Sequence, residues 1–115
     1  MKKKKIQTTI KVIETEKYGI PLSDLKNVIS ILKGNVKIRK AILFGSRAKG
    51  DFSNGSDVDI ALIGNELKLL DILQLSGKID DLYLPWKFDL VIYNRIMEEA
   101  LKEHIDRVGV ELFHI

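Results

Sequence analysis

The chain has 115 residues, no cysteine, and a formal net charge of +3 from 19 Lys and Arg against 16 Asp and Glu. This size allows one domain with one core, and the lack of cysteine excludes disulfides and thiolate zinc sites. With no apolar stretch long enough to span a bilayer and nothing resembling a signal peptide, we expect a cytoplasmic protein that does not bind membranes.

Residues 1–19 are expected to form an N-terminal extension, and residues 20–115 a single folded domain. The extension opens with the basic run Lys2 to Lys5, and removing those four charges from +3 leaves −1. The body of the chain therefore lacks the basic character that nucleic-acid binding favours. Ile6, Ile10 and Ile13 have helical spacing, although strand-like alternation occurs in the same segment, and we favour a helix with a frayed start.

A helix is predicted after the break at Pro21, capped by Ser23 or Asp24 and ending at Gly34. Its apolar face is expected to contain Leu25, Val28, Ile29 and Leu32. The next element is a strand from Ile38 to Phe44, whose last residues are apolar on both faces, as in a covered sheet.

That strand ends at a corner, Gly45-Ser46, after which residues 46–49 are predicted to form a short helical turn. A loop rich in turn-forming residues, 51–56, leads to a second strand from Asp57 to Ile63. Because successive strand side chains alternate between faces, Asp57 and Asp59 point to the same side of the sheet.

An amphipathic helix is predicted over residues 66–83, weakened near Ser76-Gly77. Its apolar face is expected to contain Leu67, Leu70, Leu73, Ile79 and Leu82. A third strand follows from Phe88 to Tyr93 and carries Asp89. A strand, a helix and a strand in this order predict a right-handed parallel crossover, which sets Asp89 beside the Asp57 and Asp59 pair.

Asn94 is predicted to cap a last helix that ends near Gly109, before a short edge strand over residues 110–113. The apolar side of that helix is expected to contain Ile96, Ala100, Leu101 and Ile105. The fold class that follows is α/β (α+β), a small mixed β-sheet with helices packed on it.

Three aspartates on adjacent strands repel one another, and a divalent cation resolves that repulsion. Mg²⁺ prefers carboxylate and phosphate oxygens, and two such ions can clamp the attacking and leaving oxygens of a displacement at phosphorus. We therefore predict a two-metal Mg²⁺ site on Asp57, Asp59 and Asp89. Asp89 is also the candidate base for the attacking hydroxyl.

The Gly45-Ser46 corner is predicted to hold the phosphates of a nucleotide triphosphate, because glycine allows close backbone approach and Ser46 adds a hydroxyl donor. Arg47 and Lys49 can neutralise the β and γ phosphates. Only one of these two cations needs to face inward, and the sequence does not decide which.

Four other residues invite a functional role but favour a structural one. His104 and His114 are isolated from other ligand-type residues, and we interpret His104 as a helix residue near a C terminus, where positive charge is favourable. Tyr83 and Trp86 flank Pro85, and they suit a lid over the core as well as a contact for a partner or a base.

The string Leu43-Phe44-Gly45-Ser46-Arg47-Ala48-Lys49-Gly50-Asp51, followed by Gly55-Ser56-Asp57-Val58-Asp59-Ile60, resembles the signature of the DNA polymerase β-like nucleotidyltransferase superfamily. The likeness is to its minimal, single-domain members and extends through Leu84-Pro85-Trp86-Lys87-Phe88-Asp89-Leu90 to residues 104–109. The resemblance implies a minimal catalytic palm, with Mg²⁺ on the three aspartates and ATP at the corner.

The resemblance also implies a partner, because minimal nucleotidyltransferases (MNT) are commonly encoded beside a small helical protein of the HEPN or substrate-binding type. Some act as antitoxins by transferring AMP to a tyrosine of that partner. We therefore expect an MNT-type antitoxin that modifies a partner hydroxyl. The alternatives are nucleotidylation of a small molecule such as an antibiotic, and neutralisation of a toxin by contact without catalysis.

Overall fold

A computed structural model describes residues 15–115 of the chain, with side chains from residue 17 onwards. The helix favoured for the N-terminal extension therefore lies largely outside the described residues. The described residues begin with a short helix, α1, Thr15–Tyr18. Within residues 15–115, no helix is both long enough and apolar enough to cross a membrane.

A four-stranded mixed sheet forms the centre of the fold. Its strands are β1 (Lys40–Phe44), β2 (Val58–Ile63), β3 (Phe88–Ile92) and β4 (Val110–His114), in the spatial order β3-β2-β1-β4. β1 is antiparallel to both of its neighbours, whereas β2 and β3 are parallel. The predicted α+β class, the parallel pairing and the C-terminal edge strand are thus confirmed.

The main core covers one face of the sheet. Val58, Ile60 and Leu62 of β2 point into it, as predicted from strand alternation. Helix α2, Leu22–Lys33, buries its four predicted apolar residues in the same core. The predicted cap is wrong, because the N-cap position is Pro21, which lies two residues before Ser23 and three before Asp24, and no side chain caps the helix.

Helix α4, Leu69–Asp80, differs most from its prediction. It begins three residues later than residue 66 and continues without a break through Gly77. Its buried residues are Asp71, Leu75 and Ile79. Leu70 and Leu73, expected in the core, are instead 63% and 59% exposed, and Leu69 is 65% exposed.

The start of α4 is set by a carboxylate. Asp71 Oδ2 accepts the backbone N–H of Lys68 at 2.8 Å, while Asp71 Oδ1 accepts the side-chain amide of Asn35 at 3.1 Å. The Lys37 ammonium also lies 3.1 Å from Asp71 Oδ2. Hydrogen bonding to the Lys68 backbone, followed by contacts to Asn35 and Lys37, lowers the pKa of Asp71. The ionised Asp71 side chain therefore faces the segment between α2 and β1, which contains Asn35 and Lys37. With this side of α4 turned inward, Leu69, Leu70 and Leu73 are exposed.

Helix α5, Glu99–Val108, covers the other face of the sheet. Ile105 packs there with Phe44 and Ala61, and Leu101 and Ile96 pack beside them. Asn94 does not cap this helix, because a 3-10 turn, Tyr93–Arg95, precedes it. The Asn94 side chain instead accepts the backbone N–H of Gly64 at 2.9 Å. Ala100, predicted on the apolar side, is exposed.

Candidate active site

The three aspartates meet at one end of the sheet, where β1 ends and β2 and β3 begin. Asp59 lies opposite Phe44 in the antiparallel pair and opposite Asp89 in the parallel pair. Asp57 directly precedes β2. Carboxylate oxygens of Asp57, Asp59 and Asp89 all lie within 4.8 Å of one another. The triad expected from the strand pattern is therefore brought together by the register of the sheet.

The triad is electrostatically strained. Asp57 and Asp89 are exposed, whereas Asp59 is half-buried between them. Burial raises the pKa of Asp59, and the negative charges of Asp89 and Asp57 raise it further. His104 acts in the opposite direction. Ionisation of Asp59 therefore costs free energy in the ligand-free protein.

This donor set fits a hard divalent cation. It offers only carboxylate oxygens, the ligands that Mg²⁺ prefers, at a separation that one or two ions can bridge. A bound cation would also relieve the repulsion that raises the pKa of Asp59.

Gly45 forms the other wall of the site, and only glycine fits there. Its φ of +78° lies in the left-handed region, and a Cβ at this position would lie 2.2 Å from Asp59 Oδ2. The residue begins the short helix α3, Gly45–Lys49, directly after β1. Close approach of the corner backbone to a carboxylate thus accounts for the glycine that the sequence analysis singled out.

We expect Gly45→Ala to cost more stability than Gly50→Ala, which serves as the matched control. Both glycines have positive φ, but nothing lies within 4 Å of a Cβ at Gly50. Gly50→Ala should therefore lose only the backbone term, about 1 to 2 kcal/mol, and Gly45→Ala about 1 to 2 kcal/mol more, because Asp59 must move. Urea unfolding of both variants measures the difference, and equal losses would show that Asp59 does not constrain the corner.

Arg47, expected near the phosphates, is engaged elsewhere. Its side chain is 1% exposed. Nη1 donates to the Tyr18 carbonyl at 2.8 Å, and Nη2 donates to the Ser56 carbonyl at 2.9 Å. The guanidinium also lies over the Phe52 ring, 4.9 Å from its centroid. These contacts tie α1 to the loop before Asp57, and the guanidinium faces backbone carbonyls.

Lys49 and Ser46 remain accessible at the corner. The Lys49 side chain is 47% exposed, and its ammonium lies 3.5 Å from Asp51 Oδ2. Ser46 is half-buried, and its carbonyl accepts the backbone N–H of Gly50, where α3 ends. Of the two cations that the sequence could not separate, Lys49 is the exposed one, and its contact with phosphates stays a prediction.

His104 lies at the site, although sequence reasoning assigned it only a helix-terminal role. Its Nε2 accepts the backbone N–H of Gly45 at 3.2 Å, and its ring packs edge-on against Phe44. His104 and Gly45 are 59 residues apart in sequence. No local signal marks this pairing, because it depends on how α5 packs against β1.

The other three residues that invited a functional role, His114, Trp86 and Tyr83, have surroundings that agree with a structural role or with exposure to solvent. His114, on the edge strand, hydrogen bonds to Glu111 of the same strand. Trp86 is half-buried against the main core, in agreement with a lid over the core, whereas Tyr83 is 88% exposed.

The carboxylate triad lies at the start of the parallel strands β2 and β3 and faces the glycine corner at the end of β1. This is the arrangement of a nucleotidyltransferase active site. Comparison with known families agrees, since the family described as Polymerase beta, Nucleotidyltransferase matches residues 26–115. The chain belongs to this family, as a member of its minimal type, and is a nucleotidyltransferase.

Three relatives show how far the likeness reaches. A Methanocaldococcus jannaschii protein, provisionally named a protein adenylyltransferase, is 33% identical over 91 residues, which are 76% of this chain and 89% of the relative. A crystal structure of a toxin–antitoxin complex with AMP-PNP contains a chain with 25% identity and a TM-score of 0.67, with 79% of this chain and 73% of that chain covered.

The third is a chain from the structure of a tri-AMPylated Shewanella oneidensis HEPN toxin in complex with its MNT antitoxin. It is 21% identical with a TM-score of 0.63, and the match covers 81% of this chain and 71% of that chain. At this identity the likeness shows a shared fold.

Proposed function

We propose that this nucleotidyltransferase transfers AMP from ATP to a hydroxyl of a HEPN-type partner protein and thereby acts as the antitoxin of a HEPN/MNT pair. The observation that carries the proposal is the triad of Asp57, Asp59 and Asp89 beside the Gly45 corner. In the reaction, the acceptor oxygen bonds to the α-phosphorus of ATP, pyrophosphate leaves, and the hydroxyl proton is released. Because ATP is a cytoplasmic substrate, we place the reaction in the cytoplasm.

The three aspartates are proposed to hold Mg²⁺, which when bound would neutralise charge on the phosphates and polarise the reacting phosphoryl group. Asp89 is exposed at the edge strand, where it can accept the proton of an incoming hydroxyl. Gly45 and Ser46 would contact the triphosphate, and Lys49 would neutralise its outer phosphates.

A macromolecular acceptor suits the shape of the site. Asp57 and Asp89 are both exposed, so the triad opens directly to the surface and a hydroxyl on another protein can reach it. The AMPylated toxin in one structural neighbour and the adenylyltransferase name of the sequence relative point to the same acceptor class.

The test is a transfer assay with the product of the reading frame next to the gene for this chain, which we expect to be a HEPN-type protein. With Mg²⁺ and ATP labelled at the α-phosphate, we expect label on the partner and an equal amount of pyrophosphate, whereas ATP labelled at the γ-phosphate should give none. Asp57→Asn and Asp89→Asn should remove the signal, while Asp80→Asn, an exposed aspartate at the end of α4, should keep it.

The same preparations separate the alternatives. If Asp57→Asn protects cells from the toxin as well as the native chain does, contact alone neutralises the toxin and catalysis is not the antitoxin mechanism. If the partner stays unlabelled while a small-molecule acceptor is labelled, the acceptor class is wrong but the nucleotidyltransferase chemistry stands.

A further inference from the structure

His104 reaches the site from a helix that is held rigidly against the sheet. The next residue of α5, Ile105, is 1% exposed and packs against Phe44 and Ala61 of the sheet. At the end of the helix, a Cβ at Gly109 would lie 2.4 Å from the Ile105 carbonyl oxygen and 2.5 Å from Ile42 Cγ2. Because α5 packs so closely on β1, the position of His104 relative to the corner is set by the core.

The contact that His104 makes is directional. Its Nε2 accepts the Gly45 N–H at 3.2 Å, and its ring centroid lies 6.2 Å from that of Phe44, with the planes at 78°. An accepting Nε2 places the ring proton on Nδ1. The imidazole therefore holds the backbone amide of the one residue whose conformation brings the corner against Asp59.

We propose that His104 is a positioning residue for nucleotide binding: by accepting the Gly45 amide, it restrains the corner in the conformation that receives the triphosphate. The inference rests on the proposed role of the corner in binding ATP. Glycine has the most backbone freedom of any residue, so an unrestrained corner would lose conformational entropy when the nucleotide binds. A hydrogen bond to a rigid helix removes that freedom beforehand.

Two substitutions separate the hydrogen bond from the space that the ring fills. His104→Leu keeps an apolar side chain against Phe44 but offers no acceptor, whereas His104→Gln offers an amide oxygen at similar reach. Glu103→Gln, which loses only an exposed pair with Arg107, is the matched control on the same helix. The probe is ATP with Mg²⁺, titrated calorimetrically without any acceptor protein.

We expect His104→Leu to bind ATP about fivefold to tenfold more weakly, the effect of one hydrogen bond, and the Gln and Glu103→Gln variants to stay within about twofold of the native chain. In the ligand-free protein, amide exchange at Gly45 followed by NMR should be slow in the native and Gln forms and fast in the Leu form. This second measurement reports the hydrogen bond itself.

Several outcomes would overturn the proposal. Equal ATP affinity in the Leu and Gln variants would show that the ring only fills space, and tighter binding by the Leu variant would show that His104 competes with the phosphate for the amide. A native chain that binds no ATP would remove both this inference and the proposed function. If ATP binding follows the expected pattern but no partner is labelled, the inference stands and only the acceptor is wrong.

Discussion

Asp59→Asn should abolish nucleotidyl transfer and at the same time make the ligand-free protein more stable. Asp59 lies between Asp57 and Asp89, and its ionisation is opposed first by burial and then by those two charges. The neutral amide removes that repulsion but is a poor ligand for Mg²⁺. We expect transfer to fall by about 10³-fold and the melting temperature in a chelator to rise by about 2 to 5 °C.

The dependence of this gain on pH follows from the direction of the shift. Because the pKa of Asp59 is raised in the folded state, the folded protein loses stability as pH rises through that pKa. The advantage of Asp59→Asn should therefore be absent below the unfolded pKa of about 3.9, grow as pH rises, and reach its full size above the raised pKa of the folded state. Thermal unfolding across this range measures it.

Asp106→Asn is the control, since Asp106 is an exposed aspartate that accepts a hydrogen bond from Tyr93 outside the triad. It should retain transfer and gain no stability at neutral pH. An Asp59→Asn protein that is less stable than the native chain would mean that Asp59 contributes structural contacts that outweigh the repulsion.

The triad could be predicted from sequence because the rules behind it are strict. Strand alternation sets Asp57 and Asp59 on one face, and a strand, helix and strand in succession force the parallel pairing that brings Asp89 beside them. These inferences need no side-chain packing. The glycine corner differs, because its place after β1 could be predicted whereas its close approach to the Asp59 side chain is visible only in the structure.

The orientation of α4 could not be predicted in this way. Apolar residues occur on more than one face of this helix, so helical spacing alone does not decide whether Leu70 and Leu73 or Leu75 are buried with Ile79. The outcome depends on Asp71, whose carboxylate is paired with Asn35 and Lys37 more than thirty residues away. Periodicity alone carries no information about such a distant partner.

Arg47 shows a different limit, because its position in the motif favoured contact with phosphate, whereas in the structure its guanidinium bonds to backbone carbonyls. A cation beside a predicted phosphate site is expected to bind phosphate. The Arg47 guanidinium instead donates to the backbone carbonyls of Tyr18, Asn54 and Ser56. Burial lowers the pKa of the Arg47 guanidinium. What holds this charge in the interior is a set of backbone acceptors that sequence does not reveal.

Replacement of Arg47 should therefore lower the free energy of unfolding, and this loss of stability should be its main effect, rather than a loss of phosphate affinity. Arg47→Met keeps the volume of the stem but leaves the carbonyls of Tyr18 and Ser56 without their donors, and we expect a loss of about 2 to 4 kcal/mol in the free energy of unfolding. Arg47→Lys should lose a large part of the same stability, because one ammonium cannot replace the planar fork that bonds to both carbonyls.

Lys49→Ala provides the contrast, since the Lys49 side chain is 47% exposed and pairs only weakly with Asp51. Its stability should change by less than about 0.5 kcal/mol, while its affinity for ATP falls in the same calorimetric titration used for His104. Urea unfolding and ATP titration of the three variants together assign the two cations. An Arg47→Lys protein that is as stable as the native chain but does not bind ATP would contradict this assignment. Arg47 would then be the phosphate ligand, and Lys49 would have no role in binding.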